Sequence, residues 1–398
     1  MKKKILLAFS GGLDTSFCAI WLQKEKNADV VTAVVDTGGF SKEELMDIQD
    51  HALALGAIEH HTLDSKKEVF DRFVVTLIQG NVLRGKAYPL SVAAERVVQA
   101  EAIAKLAKEI GADAVCHGST GVGNDQIRFD GAFHSLLPGI EVLTPIRELG
   151  LSRKQETEYL EKNGVKISSK TTDYSVNAGL WGTTIGGKET HDAWVEVPDA
   201  AYPTSGITVE EKGRELIIGF KQGVPVSLDG EALAGVELVG ALHKIGKGYG
   251  VGRGIHVGDT ILGIKGRIAF EAPAPLVLIS AHRELEKIVL TRWQSFWKDH
   301  LADFYGQHLH EGLAYDPVMD DITAMISSSQ KKVTGEARVR FAPGKFAVVG
   351  VRSDHSLLDA QDAAYGETAS LWTGAEAAGF SKLHAMPMVL AKRAEAKA

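Results

Sequence analysis

Residues Ala8-Phe9-Ser10-Gly11-Gly12-Leu13-Asp14-Thr15-Ser16 set two adjacent glycines among three hydroxyls and one carboxylate. They follow the apolar run Ile5–Phe9 and precede the apolar positions Phe17, Ile20, Trp21 and Leu22. That order predicts a buried strand, a tight turn and a first helix. A Ser-Gly-Gly turn at such a junction brings bare backbone N–H groups up to an anion, and the helix N-terminus adds the positive end of its dipole. Thr15 and Ser16 can supply hydroxyl donors, so the segment is a candidate phosphate cradle. It lacks the G-x-x-x-x-G-K-[ST] pattern and therefore the lysine that reaches the β and γ phosphates. Asp14 beside phosphates would repel them unless it orients a cation or accepts local N–H groups.

A second cluster runs from His117 to Phe129 and holds Gly118, Gly121 and Gly123. Three glycines let a ligand approach the backbone closely. Thr120, Asn124, Asp125 and Arg128 place an acceptor, a charge pair and bidentate donors within one predicted loop. Such groups suit the ammonium and carboxylate of an amino acid. Spacing shows no acidic dyad, no Ser–His–Asp arrangement and no metal-binding histidine cluster, so no metal ligands are assigned. His308 and His310 read as surface histidines at a helix end.

These two clusters need a scaffold. Up to about residue 165, strand-like runs alternate with helical ones: Val30–Asp36, a helix from Lys42 to Leu55, Ile58–Leu63, helical patterns over Lys67–Ile78 and Ser91–Ile110, Asp113–His117, and a helix over Leu151–Asn163. Ser41 is a candidate N-cap and Gly56 a stop. Alternation of this kind predicts a parallel sheet wound on both faces, with ligands beyond the carboxyl ends of the strands. Both clusters fall at such ends.

The character changes after about Lys170. Residues 171–205 are rich in Gly, Thr, Asp and Pro and read as a long loop. Short strands are expected at Ile207–Glu211, Glu215–Phe220 and Val224–Ser227, then a helix over Glu231–Ile245, a loop over Gly246–Gly254 and a strand over Ile255–Lys265. One long helix is expected within Pro275–His308, and a hairpin about Pro343-Gly344 joins Val333–Phe341 to Lys345–Val351. The tail from Leu358 carries helical stretches. The fold class expected is α/β: a Rossmann-like doubly wound domain over 1–168, a mixed α+β domain over 169–357 and a helical segment over 358–398.

Composition bounds the function classes. The 398 residues are 44% hydrophobic and 24% charged, with net charge −7. An acidic chain is a poor candidate for nucleic-acid binding, which relies on Lys and Arg neutralising phosphates. The apolar stretch behind Lys2-Lys3-Lys4 ends at Ser10, too short for a signal peptide, and no run approaches a membrane span. A cytoplasmic protein without membrane contact is expected. Cys18 and Cys116 form no metal or redox motif and read as small buried residues.

The first loop resembles that of the ATP pyrophosphatases, S-G-G-x-D-[ST], which adenylate a substrate and release pyrophosphate. Together with the second cluster and with Tyr174-Ser175-Val176-Asn177-Ala178-Gly179-Leu180-Trp181-Gly182, it resembles the argininosuccinate synthase family. The likeness extends to Gly248–Arg253 and Gly263–Arg267. It implies that ATP, with Mg²⁺, activates citrulline as citrullyl-AMP and that aspartate then displaces AMP. It implies ATP on Ala8, Phe9, Ser10, Gly11, Gly12, Leu13, Asp14, Thr15, Ser16, Val35 and Gly118. Aspartate would lie on Thr120, Asn124 and Asp125. Citrulline would lie on Tyr88, Asn124, Arg128, Ser175 and Thr184, the last where the family has serine. Asp14, Ser10, Thr15 and Arg128 would serve catalysis, and a homotetramer is implied.

The chain departs from the family at the citrulline end. Gly258 stands where the family has Glu, Phe270 where it has Tyr, and Ala93 where it has Ser. The missing Glu is expected to hold the α-amine, and losing it forfeits a charge-assisted hydrogen bond. Either substitutes such as Asp259 bind free citrulline, or the substrate is an N-acylated citrulline. A reading of another class, a non-catalytic adenine-nucleotide sensor, would not need the Thr120–Arg128 cluster.

Overall fold

The computed structural model describes residues 2–165, 174–358, 363–366 and 368–396. Strands β1 (Lys4–Ala8), β2 (Asp29–Asp36), β3 (Glu59–Asp64), β4 (Ala114–Cys116) and β5 (Glu141–Leu143) form one sheet in the order β3-β2-β1-β4-β5. Every pairing in it is parallel. The strands read as continuous apolar runs because both faces are covered. Ile5 and Leu7 point to one face, packed under the helices Leu13–Glu25, Lys42–Ala54 and Arg153–Lys162. Leu6, Val31 and Val115 point to the other, under Ala93–Ile110 and Asp125–Leu136. This is the expected doubly wound α/β fold. The chain runs outward in opposite directions from β1, through β2 and β4, which opens a crevice at their carboxyl ends.

Local signals behave as their chemistry requires. Ser41 Oγ accepts from the Glu44 N–H while Glu44 returns a bond to the Ser41 N–H, closing a capping box. The helix ends at Ala54, and Gly56 turns the chain away with φ +89°.

The rest of the described chain is antiparallel. Strands β6 (Ser175–Gly179), β7 (Gly182–Gly186), β11 (Arg253–Asp259) and β12 (Lys265–Glu271) form a sheet in the order β11-β12-β7-β6. Strands β8 (Arg214–Lys221), β9 (Val224–Leu228), β10 (Glu231–Ala232), β13 (Gly335–Ala342) and β14 (Lys345–Arg352) form another, β10-β9-β8-β13-β14. The expected loop over 171–205 therefore holds a hairpin, whose Gly-rich strands are too short to show a period and are held by β12. The expected strand Ile255–Lys265 is two strands about a turn at Thr260–Gly263, where Gly263 has φ +83°. The expected long helix breaks into Pro273–Lys287 and Arg292–Glu311, because Thr291 and Gln294 form a capping box that starts a second helix. Residues Ile207–Glu211 form no strand. The helix expected from Glu231 begins at Gly235, behind β10.

A buried polar network fastens these helices. Lys298 pairs with Glu286 at 2.9 Å, Glu286 accepts from Asn81, and His282 sits between Asn81 and Gln330 at 2.7 Å from each. It anchors the start of the 81–90 segment that carries Arg84 and Tyr88 to the site.

The expected boundary at 168/169 lies outside the described residues. By its contacts the chain separates into a unit of residues 1–354, which holds all the sheets above, and a unit of residues 355–398. Within the latter, Thr373 and Glu376 box the start of the helix Gly374–His384, and Met386–Glu395 follows. No helix among the described residues is long and apolar enough to cross a membrane.

Candidate active site

A cavity of about 850 Å³ opens at the carboxyl ends of β1 and β4. One end is the first loop. Gly11 takes φ +76° with Ile48 Cγ1 3.1 Å from where a Cβ would sit, so only glycine turns there without strain. Gly12 caps the helix Leu13–Glu25 with no side-chain bond. The first-turn N–H groups therefore lack helical acceptors and point outward. Ser10 Oγ lies 3.3 Å from Thr15 Oγ1, and both side chains line the cavity. Gly118 brings the second loop against the first, since a Cβ there would meet Thr15 Cγ2 at 3.2 Å and the Asp14 carbonyl carbon at 3.3 Å.

Ala8, Phe9, Ser10, Gly12, Leu13, Asp14, Thr15, Val35 and Gly118 all line the cavity. Gly11 and Ser16 do not. Ser16 Oγ instead lies 2.8 Å from the Gly12 carbonyl and 2.9 Å from His51 Nε2, so its hydroxyl serves the helix start. The expected hydroxyl donor at Ser16 is therefore turned away from the cradle.

Asp14 has a partner that spacing did not reveal. Glu156, on the helix Arg153–Lys162, is 2% exposed. Burial, and then the Asp14 carboxylate to which it hydrogen-bonds, push the Glu156 carboxyl up to about 8. A like charge beside a buried carboxyl favours its protonated form, which is the direction seen for Glu156.

The second cluster is only in part a loop. Thr120 and Asn124 lie on it, whereas Asp125 and Arg128 occupy the first turn of the helix Asp125–Leu136. All four line the cavity. Asp125 accepts from Arg96 Nε at 2.9 Å and from Arg128 Nη1 at 2.8 Å. Burial would raise its carboxyl, but the two guanidiniums win and hold it at about 2. Arg96 also donates to Asn177 Oδ1 at 2.7 Å, tying β6 to this corner. Asn124 Oδ1 accepts from the Ile261 N–H at 2.9 Å and fixes the β11–β12 turn over the cavity. His117 accepts at Nδ1 from Ser119 N–H, so its Nε2 donates to Asp130, which also pairs with Arg147.

His310 corrects the surface reading given to it. It is buried at 6% exposure and lines the cavity. Its carbonyl accepts from Arg128 Nη2 at 2.8 Å, and its Nδ1 lies 3.2 Å from the same nitrogen. His308 is half-buried against the Phe304 ring.

The remaining candidates face the same cavity from separate elements. Tyr88 is buried between the His256 ring, stacked at 5.6 Å, and the Phe270 ring at 5.5 Å. Ser175 comes from β6 and Thr184 from β7. Thr184 lies directly across from Phe270 on β12. Ala93 and Gly258 line the cavity as well. Sequence reasoning missed Arg96, Glu156, Arg84 and His256. For Arg96 there was a signal: Glu95-Arg96 interrupts the apolar window Ala93–Val98. Glu95 is 1% exposed, accepts from Thr37 Oγ1 and the Trp181 N–H, and is pushed by burial up to about 8.

Cys18 and Cys116 are buried free thiols beneath the sheet's crevice, as their surroundings suggested.

The cavity joins an open helix start to a corner of paired charges, and comparison with known proteins identifies the family that the chain belongs to. Residues 4–166 match the argininosuccinate synthase N-terminal HUP domain, and residues 174–391 match the argininosuccinate synthase C-terminal domain. The argininosuccinate synthase of Pyrococcus furiosus is 38% identical over 391 residues, covering 98% of this chain and 94% of that protein. That of Xanthomonas campestris pv. campestris is 40% identical over 402 residues, covering 98% of both. The one from Methanocaldococcus jannaschii is 36% identical over 391 residues, again covering 98% of both. With both domains matched and these relatives aligned almost end to end, the chain belongs to the argininosuccinate synthase family.

Proposed function

We propose that the protein ligates citrulline to aspartate with cleavage of ATP to AMP and pyrophosphate, as a step in arginine synthesis. The observation that carries this reading is the single cavity shared by the open helix start at Gly12–Thr15 and the Thr120–Arg128 segment. The ureido oxygen of citrulline attacks the α-phosphorus of ATP, the bond to pyrophosphate breaks, and citrullyl-AMP forms. The aspartate amine then attacks the ureido carbon, loses a proton, and AMP leaves with the oxygen.

The residues suit these tasks. ATP phosphates rest on the backbone of Ala8–Ser16, with Ser10 and Thr15 hydroxyls beside them and Gly118 and Val35 nearby. Preorganised N–H donors stabilise the charge that develops on phosphate without reorganising. Aspartate is held by Thr120, Asn124 and Asp125. Citrulline lies along Tyr88, Asn124, Arg128, Ser175 and Thr184, with Arg128 locked in place by Asp125 and His310. Positioning of this kind supplies much of the rate in adenylation, where no covalent bond to protein forms.

Among the described residues no three His, Cys, Asp or Glu side chains gather to cage an ion. Mg²⁺ is commonly held by one or two carboxylates and completed by substrate phosphates and water. Asp14, with Glu156 behind it, is the carboxylate placed to meet it, and the ion would neutralise phosphate charge. Assembly as a homotetramer in the cytoplasm completes the reading. Phe380, Leu383, Met388 and Leu390 are exposed on the two C-terminal helices, an apolar surface that a second subunit would cover.

The test is pyrophosphate release from Mg-ATP and aspartate. Release that requires a citrulline-type substrate supports the ligase. ATP binding without release returns the protein to the nucleotide-sensor class.

A further inference from the structure

One end of the cavity gathers two guanidiniums and two imidazoles. Arg84, Arg128, His256 and His310 line it together. Arg128 is already committed to Asp125 and the His310 carbonyl. Arg84 gives Nη2 to the Asp259 carbonyl at 2.6 Å and forms no ion pair among the described residues. A guanidinium only donates, so His310 Nδ1 is the acceptor in its contact with Arg128 Nη2. The proton of that neutral imidazole therefore sits on Nε2, which is buried. The Asp259 carbonyl beside it is the one that already accepts from Arg84. His256 Nε2 is buried without a hydrogen-bond partner. Its ring is fixed by stacking on Tyr88.

Gly258 is what leaves room for this arrangement. A Cβ there would stand 2.6 Å from His256 Nε2 and 3.4 Å from Arg84 Nη1. The cavity's carboxylates are all engaged elsewhere. Asp125 holds Arg96 and Arg128, Asp259 pairs with Lys265 at 2.6 Å on the surface, Glu44 closes its capping box, and Asp14 sits in the first loop with Glu156. Glu311, near Arg84, receives Gln307 and does not line the cavity. An ammonium entering this end would meet Arg84 and two imidazole rings and no free carboxylate. A carboxylate would meet the Arg84 guanidinium, which is the stronger, charge-assisted arrangement.

Building on the ligase reading above, we propose that this end is an anion subsite, and that the citrulline it fits best carries on its α-nitrogen an acyl group ending in a carboxylate. Acylation removes the ammonium that the site's carboxylates do not pair, and the distal carboxylate takes the Arg84 guanidinium. The ureido group remains at the Arg128 side for adenylation.

The experiment compares kcat/KM for pyrophosphate release from Mg-ATP and aspartate with citrulline, N-acetylcitrulline and N-succinylcitrulline. The expected order is succinyl above acetyl above free, with at least tenfold between first and last. In Arg84→Gln the ratio of succinylated to free substrate shrinks at least fivefold. Free citrulline equal to or better than the succinylated compound overturns the proposal, and so does an unchanged ratio in Arg84→Gln. Equal values for acetyl and succinyl overturn the distal-carboxylate contact. Release with none of the three overturns the ligase reading itself, and this inference with it.

Discussion

The two ends of the cavity are built on opposite plans. The first-loop end comes from one continuous run, Ala8–Ser16, seven of whose nine residues line the cavity at a helix start rich in backbone N–H groups. The other end draws side chains from separate segments: Tyr88, Arg96, Asp125, Arg128, Asn177 and His310. In the first, geometry follows from a strand, two glycines and a helix, so no side chain is indispensable to its shape. In the second, each charge is held only because its neighbour is present. A buried charge without its partner is costly, so the second end should be far more fragile to single truncations.

Asp125→Asn should break it hardest. The substitution leaves both Arg96 and Arg128 without their shared anion. A loss of about 3 kcal/mol in unfolding free energy is expected. Pyrophosphate release should be abolished with it. Equilibrium denaturation measures the first, and an unchanged midpoint would mean that the network carries no stability.

Asp14→Ala probes the opposite end and should separate activity from folding. Removing the Asp14 carboxylate takes a like charge away from the buried Glu156, so stability should hold or rise. Pyrophosphate release should fall on the order of a hundredfold, the scale of losing one preorganised electrostatic contact. A folded variant with the wild-type release rate would remove Asp14 from catalysis.

A milder probe is pH. Glu95 and Glu156 are both held protonated up to about 8, against 4.5 for an ordinary glutamate. Between those values the folded protein binds more protons than the unfolded chain. Stability must therefore fall as pH rises through that window, and level off above it. Glu95→Gln and Glu156→Gln each mimic the protonated form and should flatten that fall. Denaturation midpoints at pH 5, 6.5 and 8 would show it, and a slope equal to wild type in both variants would refute the two shifts.

The same contrast explains what could be read from the chain. The first loop was legible because strand, glycines and helix are contiguous. The parallel sheet was legible because its strands are apolar without interruption. The paired-charge end was legible only where it is local. Asp125 and Arg128 stood out, but the helix they begin was hidden by the glycines before it. His310 lies 182 positions from Arg128, and nothing in its own neighbourhood marks it as more than a helix-end histidine. Glu156 sits in a polar helix whose pattern gives no hint that one carboxyl turns inward to Asp14. Thr291 and Gln294 carried the signature of a helix start, yet the apolar period running through them masked the break.

The finest distinction lies within the first loop itself, between two adjacent hydroxyls. Thr15 Oγ1 lines the cavity beside Ser10, whereas Ser16 Oγ is spent on the Gly12 carbonyl and His51. If the cradle acts through groups that face the phosphates, the two should differ in kind. Thr15→Ala should lower kcat/KM for ATP about tenfold, one lost hydrogen bond to a charged group. Ser16→Ala should cost about 1 kcal/mol of stability and leave kcat/KM for ATP within about threefold, one neutral bond at the helix start. Equal losses of kcat/KM in the two variants would mean that the helix start, rather than the facing hydroxyl, limits how the cradle holds its anion.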